Sequence, residues 1–150
     1  MQDLSQAIAA ECERLGIAVN PESTQRLAAY AASLWSWNEK LNLTRHTDVE
    51  KFVSRDVADA AAIAPHLAQQ ERVLDVGTGG GVPGVVLAIL RPDLHVELCD
   101  SVAKKARAVQ AIVAETGLSL PVHEGAAQGL VSQAAAADRK STRLNSSHEW

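Results

Sequence analysis

Between Asp75 and Gly84 the chain reads Asp-Val-Gly-Thr-Gly-Gly-Gly-Val-Pro-Gly. Glycines let a backbone take positive φ and come close to a bound group. A helix starting just beyond them offers unpaired N–H groups and the positive end of its dipole. A turn of this kind suits a carboxylate or a phosphate. A second acid, Asp100, follows about twenty residues further on, at the end of the next apolar run.

Two motifs overlap in the turn. Gly79-x-Gly81-x-x-Gly84 fits the dinucleotide fingerprint, which also expects an acid at about the distance of Asp100. Asp75-x-Gly77-x-Gly79-x-Gly81 fits the pattern that binds S-adenosylmethionine. In that second reading the turn, Gly77 and Gly79 included, packs against the methionine part of the cofactor. Asp100 accepts hydrogen bonds from the ribose hydroxyls. Both readings stay open on the turn alone: a methyltransferase, or a fragment of an NAD-binding oxidoreductase.

The elements around the turn decide whether it can work. Val73–Val76 is a short apolar run and reads as a buried strand, and residues 85–90 follow as a helix with Pro83 near its start. Arg91-Pro92-Asp93 is a turn. His95–Asp100 is a second strand, Val102–Thr116 a helix stopped by Gly117, and residues 120–123 a third strand, which Pro121 confines to its first position or to an edge. Strand–helix–strand–helix–strand implies a parallel sheet with right-handed crossovers. Ligands bind such sheets at the carboxyl ends of the strands, where Asp75, Gly77 and Asp100 fall. Upstream, Leu4, Ile8, Cys12 and Leu15 trace one helical face, closed by Gly16. Asn20-Pro21 caps a second helix striped by Leu27, Ala31, Leu34 and Leu41. Asp48 caps a third with Phe52, Val53, Val57, Ala60 and Ile63 inward, ended by Pro65. The expected organisation is a helical extension over 1–67 and a partial sheet domain over 68–137.

The rest of the sequence narrows the class. Apolar residues make up 47% of 150, enough for one packed core, and 21% are charged. Cys12 and Cys99 form no CxxC pair and read as buried thiols of a reducing compartment. No apolar run is long enough for a membrane span and no basic leader is visible, so the expectation is a cytoplasmic protein without a membrane partner. His46, His66, His95 and His123 share no metal-ligand spacing, and no metal site is expected. Trp35 and Trp37 could stack on bases, but beside a helical stripe packing is the better expectation. Lys104, Lys105 and Arg107 could meet phosphates, although a solvated helix face explains them as well. Arg45 and Arg55 are further candidates for RNA contact.

Residues 138–150 stand apart. Asp138–His148 read Asp-Arg-Lys-Ser-Thr-Arg-Leu-Asn-Ser-Ser-His, the translation in one frame of a common sequencing-library adapter. This stretch is expected to be a non-native tail outside the fold. The net charge of −4 becomes −5 without it, from 11 basic and 16 acidic residues. An acidic balance of this size runs against the basic surface usual for nucleic-acid binding.

Over most of its length the chain resembles the bacterial small-subunit rRNA methyltransferase G family, also called glucose-inhibited division protein B. The resemblance is carried by residues 74–84 with Leu87-Ala88 and Arg91-Pro92-Asp93. Trp37-Asn38 with Asn42-Leu43-Thr44, Val53-Ser54-Arg55-Asp56 with Asp59, and Asp100-Ser101 with Lys104-Lys105-Ala106-Arg107 add to it. It implies a Rossmann-like α/β methyltransferase fold with an N-terminal helical extension and, here, an incomplete sheet. It implies S-adenosyl-L-methionine as cofactor, held at Gly77 and Val82 in the turn and at Ala126 and Ala127 near adenine. The reaction implied is methylation of guanine N7 in 16S rRNA. The partner is the rRNA or a small ribosomal subunit precursor, and the enzyme is expected to be a monomer. Guanine N7 carries an in-plane lone pair and no proton, so no catalytic acid or base is expected. This chain departs from the family at Asp56, where histidine is usual, and at Ala127, where glutamate is common. A cofactor-contacting arginine in a Ser-Arg-Ala-Phe-like segment has no counterpart here, since Arg139 belongs to the tail. The fragment is therefore expected to be inactive alone.

Overall fold

A capping box starts the chain's first helix, α1 (Leu4–Arg14). Asp3 accepts from the Gln6 N–H at 2.8 Å, and the Gln6 side chain accepts from the Asp3 N–H at 3.2 Å. The computed structural model describes residues 3–125 and the backbone of 142–146. Ile8 and Cys12 are buried, but Leu15, expected on the same face, lies past the last turn and is exposed.

Helix α2 (Pro21–Asn38) begins as its sequence dictates. Asn20 Oδ1 accepts from the Ser23 N–H at 2.8 Å and Pro21 takes the first helical position. Leu27, Ala31 and Leu34 are buried together with Tyr30, while Leu41 lies beyond the helix end and is half-buried. The third helical stretch is not one uniform helix. Capped by Asp48, it runs through α3 (Val49–Lys51), a π-helical turn (Phe52–Val57), α4 (Ala58–Ile63) and a 3-10 turn (Ala64–His66). The π-helical turn buries Phe52, Val53 and Val57 and, among these apolar side chains, Asp56.

The sheet holds β1 (Arg72–Val76), β2 (His95–Asp100), β3 (Val122–Glu124) and β4 (Thr142–Ser146) in the order β3-β2-β1-β4, all parallel. Helices α5 (Gly84–Leu90) and α6 (Ala103–Thr116) make the crossovers. Gly117 ends α6 with φ of 80°, the left-handed cap expected of it. Helix α2 packs on both α5 and α6, so the N-terminal helices form a further layer outside the crossover helices. One core runs from Ile8 and Leu27 through Phe52 and Val85 to Leu98 and Val109. The change of element type near residue 67 therefore does not interrupt the packing.

Within the adapter-like stretch from Asp138 onward, the structure describes one element, β4 (Thr142–Ser146). These residues pair with β1 in register from Arg72↔Thr142 to Val76↔Ser146. Backbone N–H and C=O groups pair without any side-chain pattern, which is why nothing in the polar sequence announced the strand.

Candidate functional site

The glycine turn is held in shape by two carboxylates. Asp75, fully buried at the end of β1, accepts through Oδ2 from the Thr78 hydroxyl at 2.8 Å and from the Gly84 N–H at 3.0 Å. Asp100, at the end of β2, accepts through Oδ2 from the Gly79 N–H at 2.9 Å and through Oδ1 from the Val102 N–H at 2.8 Å. Gly77 and Thr78 both donate to the Cys99 carbonyl, which ties the turn to the neighbouring strand. Gly77 and Gly79 take φ of 68° and 58°. Gly84 is glycine for another reason: a Cβ there would sit 2.7 Å from Asp75 Oδ2.

The N-terminal helices complete the setting. The Tyr30 hydroxyl, fully buried on α2, donates to the Gly80 carbonyl at 2.8 Å. Burial pushes that phenol well above its ordinary range, so it remains a donor. Asn38 Oδ1 accepts from the Leu43 and Thr44 N–H groups at 2.8 and 2.9 Å, folding the Asn42–Thr44 stretch back toward the turn. Trp35 donates to the His46 carbonyl at 2.9 Å and meets the Phe52 ring edge-on; Trp37 donates to Glu115 at 3.1 Å. Both tryptophans thus serve packing.

Between this stretch, the π-helical turn and the glycine turn lies a cavity of about 650 Å³. Gly77, Gly79 and Val82 line it, as do Thr44, His46 and Asp56. Asp100 is bonded to the cavity's Gly79 from the side, with 5% of its surface exposed. Ala126 and Ala127 lie outside the described residues. Gly77, Gly79, Val82 and Asp100 are therefore brought together around one turn. Arg45 and Arg55 are exposed near the same region. Lys104 and Arg107 lie on the exposed face of α6, with Arg107 3.9 Å from Glu124.

Sequence reasoning missed Tyr30, His46 and Asp56. His46 Nδ1 lies 2.8 Å from Asp56 Oδ1. Asp56 Oδ2 is buried and has no hydrogen-bond partner among the described residues. Burial raises this carboxyl above its ordinary range, and the contact with His46 only partly offsets that. The departure from histidine at Asp56 was the one signal in the sequence that pointed to this spot.

The family model for GidB, rRNA small subunit methyltransferase G, matches residues 23–137. The chain belongs to this family. The ribosomal RNA small subunit methyltransferase G of Rhodopirellula baltica is 42% identical over 119 residues, 79% of this chain and 52% of that protein. Its namesake from an Anaeromyxobacter species is 44% identical over 119 residues, 79% of this chain and 53% of that protein. The chain thus spans about half the length of the curated relatives it matches. An O-methyltransferase from Bacillus cereus, solved in complex with SAH, superimposes with a TM-score of 0.60 over 93% of this chain and 60% of that one. At 17% identity that likeness shows the fold, which is Rossmann-like and of the methyltransferase type. No relative named here is an oxidoreductase, and the nicotinamide reading of the turn gains nothing from the family.

Proposed function

We propose that this chain supplies the cofactor-binding part of an enzyme that transfers a methyl group from S-adenosyl-L-methionine to N7 of a guanine in 16S rRNA. The observation that carries the reading is the glycine turn with Asp100 bonded across it, opening on the cavity, in a chain of this family. The bound cofactor supplies an electrophilic methyl on a sulfonium. Gly77 and Gly79, with positive φ, leave room for the methionine end, and Val82 forms the wall beside it.

Each Asp100 oxygen accepts one backbone N–H and keeps a lone pair. That free capacity fits a pair of ribose hydroxyls. Ala126 and Ala127 are the positions assigned to adenine. Guanine N7 loses no proton on methylation, so the residues around it need only orient the base and exclude water. The RNA partner is the 16S rRNA or the small subunit carrying it, approached past Arg45 and Arg55.

Calorimetric titration of the chain with S-adenosylhomocysteine tests this. The cofactor product binds and NAD does not. Asp100→Ala weakens binding about tenfold or more, since a hydrogen bond to a charged acceptor is worth roughly 1.5–3 kcal/mol. Affinity unchanged by Asp100→Ala overturns the placement.

A further inference from the structure

Methylation at N7 fixes how a guanine must enter. Its N7 edge faces the methyl donor, so the protein is left to grip the opposite edge. That edge carries two adjacent donors, the N1–H and the N2 amino group. Enzymes that act on a base draw it from its stack and read it by hydrogen bonds to its Watson–Crick edge. The group matched to two adjacent donors is a carboxylate, which only accepts.

The cavity wall holds two carboxylates, Asp56 and Asp59. Asp59 is exposed to solvent, whereas the Asp56 side chain is 6% exposed. Asp56 also has an unused acceptor. His46 holds Oδ1 at 2.8 Å, and Oδ2 is shielded from solvent without a partner among the described residues. A buried charged acceptor left in this state is destabilising, which a purely structural role would not explain. Its backbone belongs to the π-helical turn, a rare irregularity that is frequent at functional sites.

We propose that in this chain, which carries aspartate where histidine is usual, Asp56 is a specificity-determining residue for the base: its carboxylate, steadied by His46, accepts the N1–H and N2 amino hydrogens of the target guanine in the cavity beside the glycine turn. The assignment rests on the methyl-transfer reading above. The terminal torsion of an aspartate is soft, so a small rotation turns both oxygens toward the base. Adenine, which offers an acceptor at N1 and no N2 amine, is rejected by the same carboxylate.

The test titrates the chain, saturated with S-adenosylhomocysteine, with guanosine monophosphate and inosine monophosphate. Inosine differs only in lacking the N2 amine. The guanine nucleotide binds about tenfold more tightly, and in Asp56→Asn the ratio falls to near one. Equal affinity of the unaltered chain for the two nucleotides, with S-adenosylhomocysteine bound, overturns this assignment alone and needs no variant to show it. Preference for guanine kept in Asp56→Asn overturns it as well. Failure of the unaltered chain to bind S-adenosylhomocysteine overturns the methyl-transfer reading and takes the assignment with it.

Discussion

Asp56 carries a stability cost that can be measured apart from any ligand. Its folded-state pKa lies above the ordinary 3.8 because burial outweighs the hydrogen bond to His46. A carboxyl raised in this way favours the folded state only while protonated. The contribution is fully present below pH 3.8 and is lost as pH rises through the folded-state value. Asp56→Asn has the same shape and does not titrate, so it gains on the unaltered chain over that window. Urea denaturation across a pH series reads the difference. The variant is more stable at neutral pH by on the order of 1 kcal/mol, and the gap closes in acid. A gap independent of pH would mean that the buried charge is compensated in some other way. A residue that lowers stability where a simple replacement raises it is the pattern expected of a functional group.

The elements were legible wherever a signal is local. Asn20-Pro21 and Asp48 cap their helices as read, Gly117 takes its left-handed φ, and the turn after β1 has the strand–turn–helix setting its glycines require. The π-helical turn left no mark, because its residues follow ordinary helical periodicity. The pairing of His46 with Asp56, and of Tyr30 with Gly80, joins residues that no motif spaces. Arg91 shows the same limit. Its sequence context says only turn, yet its guanidinium donates to the carbonyls of Ala64, Leu67 and Ala68 at 2.7, 3.1 and 3.3 Å and grips Asp93 in a fork at 2.8 and 2.7 Å. The three carbonyl bonds fasten the end of α5 to the exit of the N-terminal helices, and the fork to Asp93 holds the guanidinium in place for them. Arg91→Lys keeps the charge and loses the fork. We expect it to cost about 1–2 kcal/mol in thermal or denaturant unfolding; a loss within error would show that packing alone holds the junction.

At the scale of the whole molecule, the sheet owes its outer edge to the least protein-like part of the sequence. β1 is an inner strand only because β4 lies along it. β1 carries Val73, Leu74 and Val76, and an apolar strand with an unpaired side is a template for association. β4 is described through its backbone, which supplies the hydrogen-bonding partners along β1. Among the described residues, the shared core is built from residues 8–113. A chain ending at Ala137 is therefore expected to keep its helical circular dichroism while self-associating more strongly than the 150-residue chain in sedimentation. Its β1 amides should exchange with deuterated water at least tenfold faster, in line with the freed edge opening locally. Unchanged association and exchange would show that pairing through 142–146 does not protect β1 in solution, and that the edge is covered by other means.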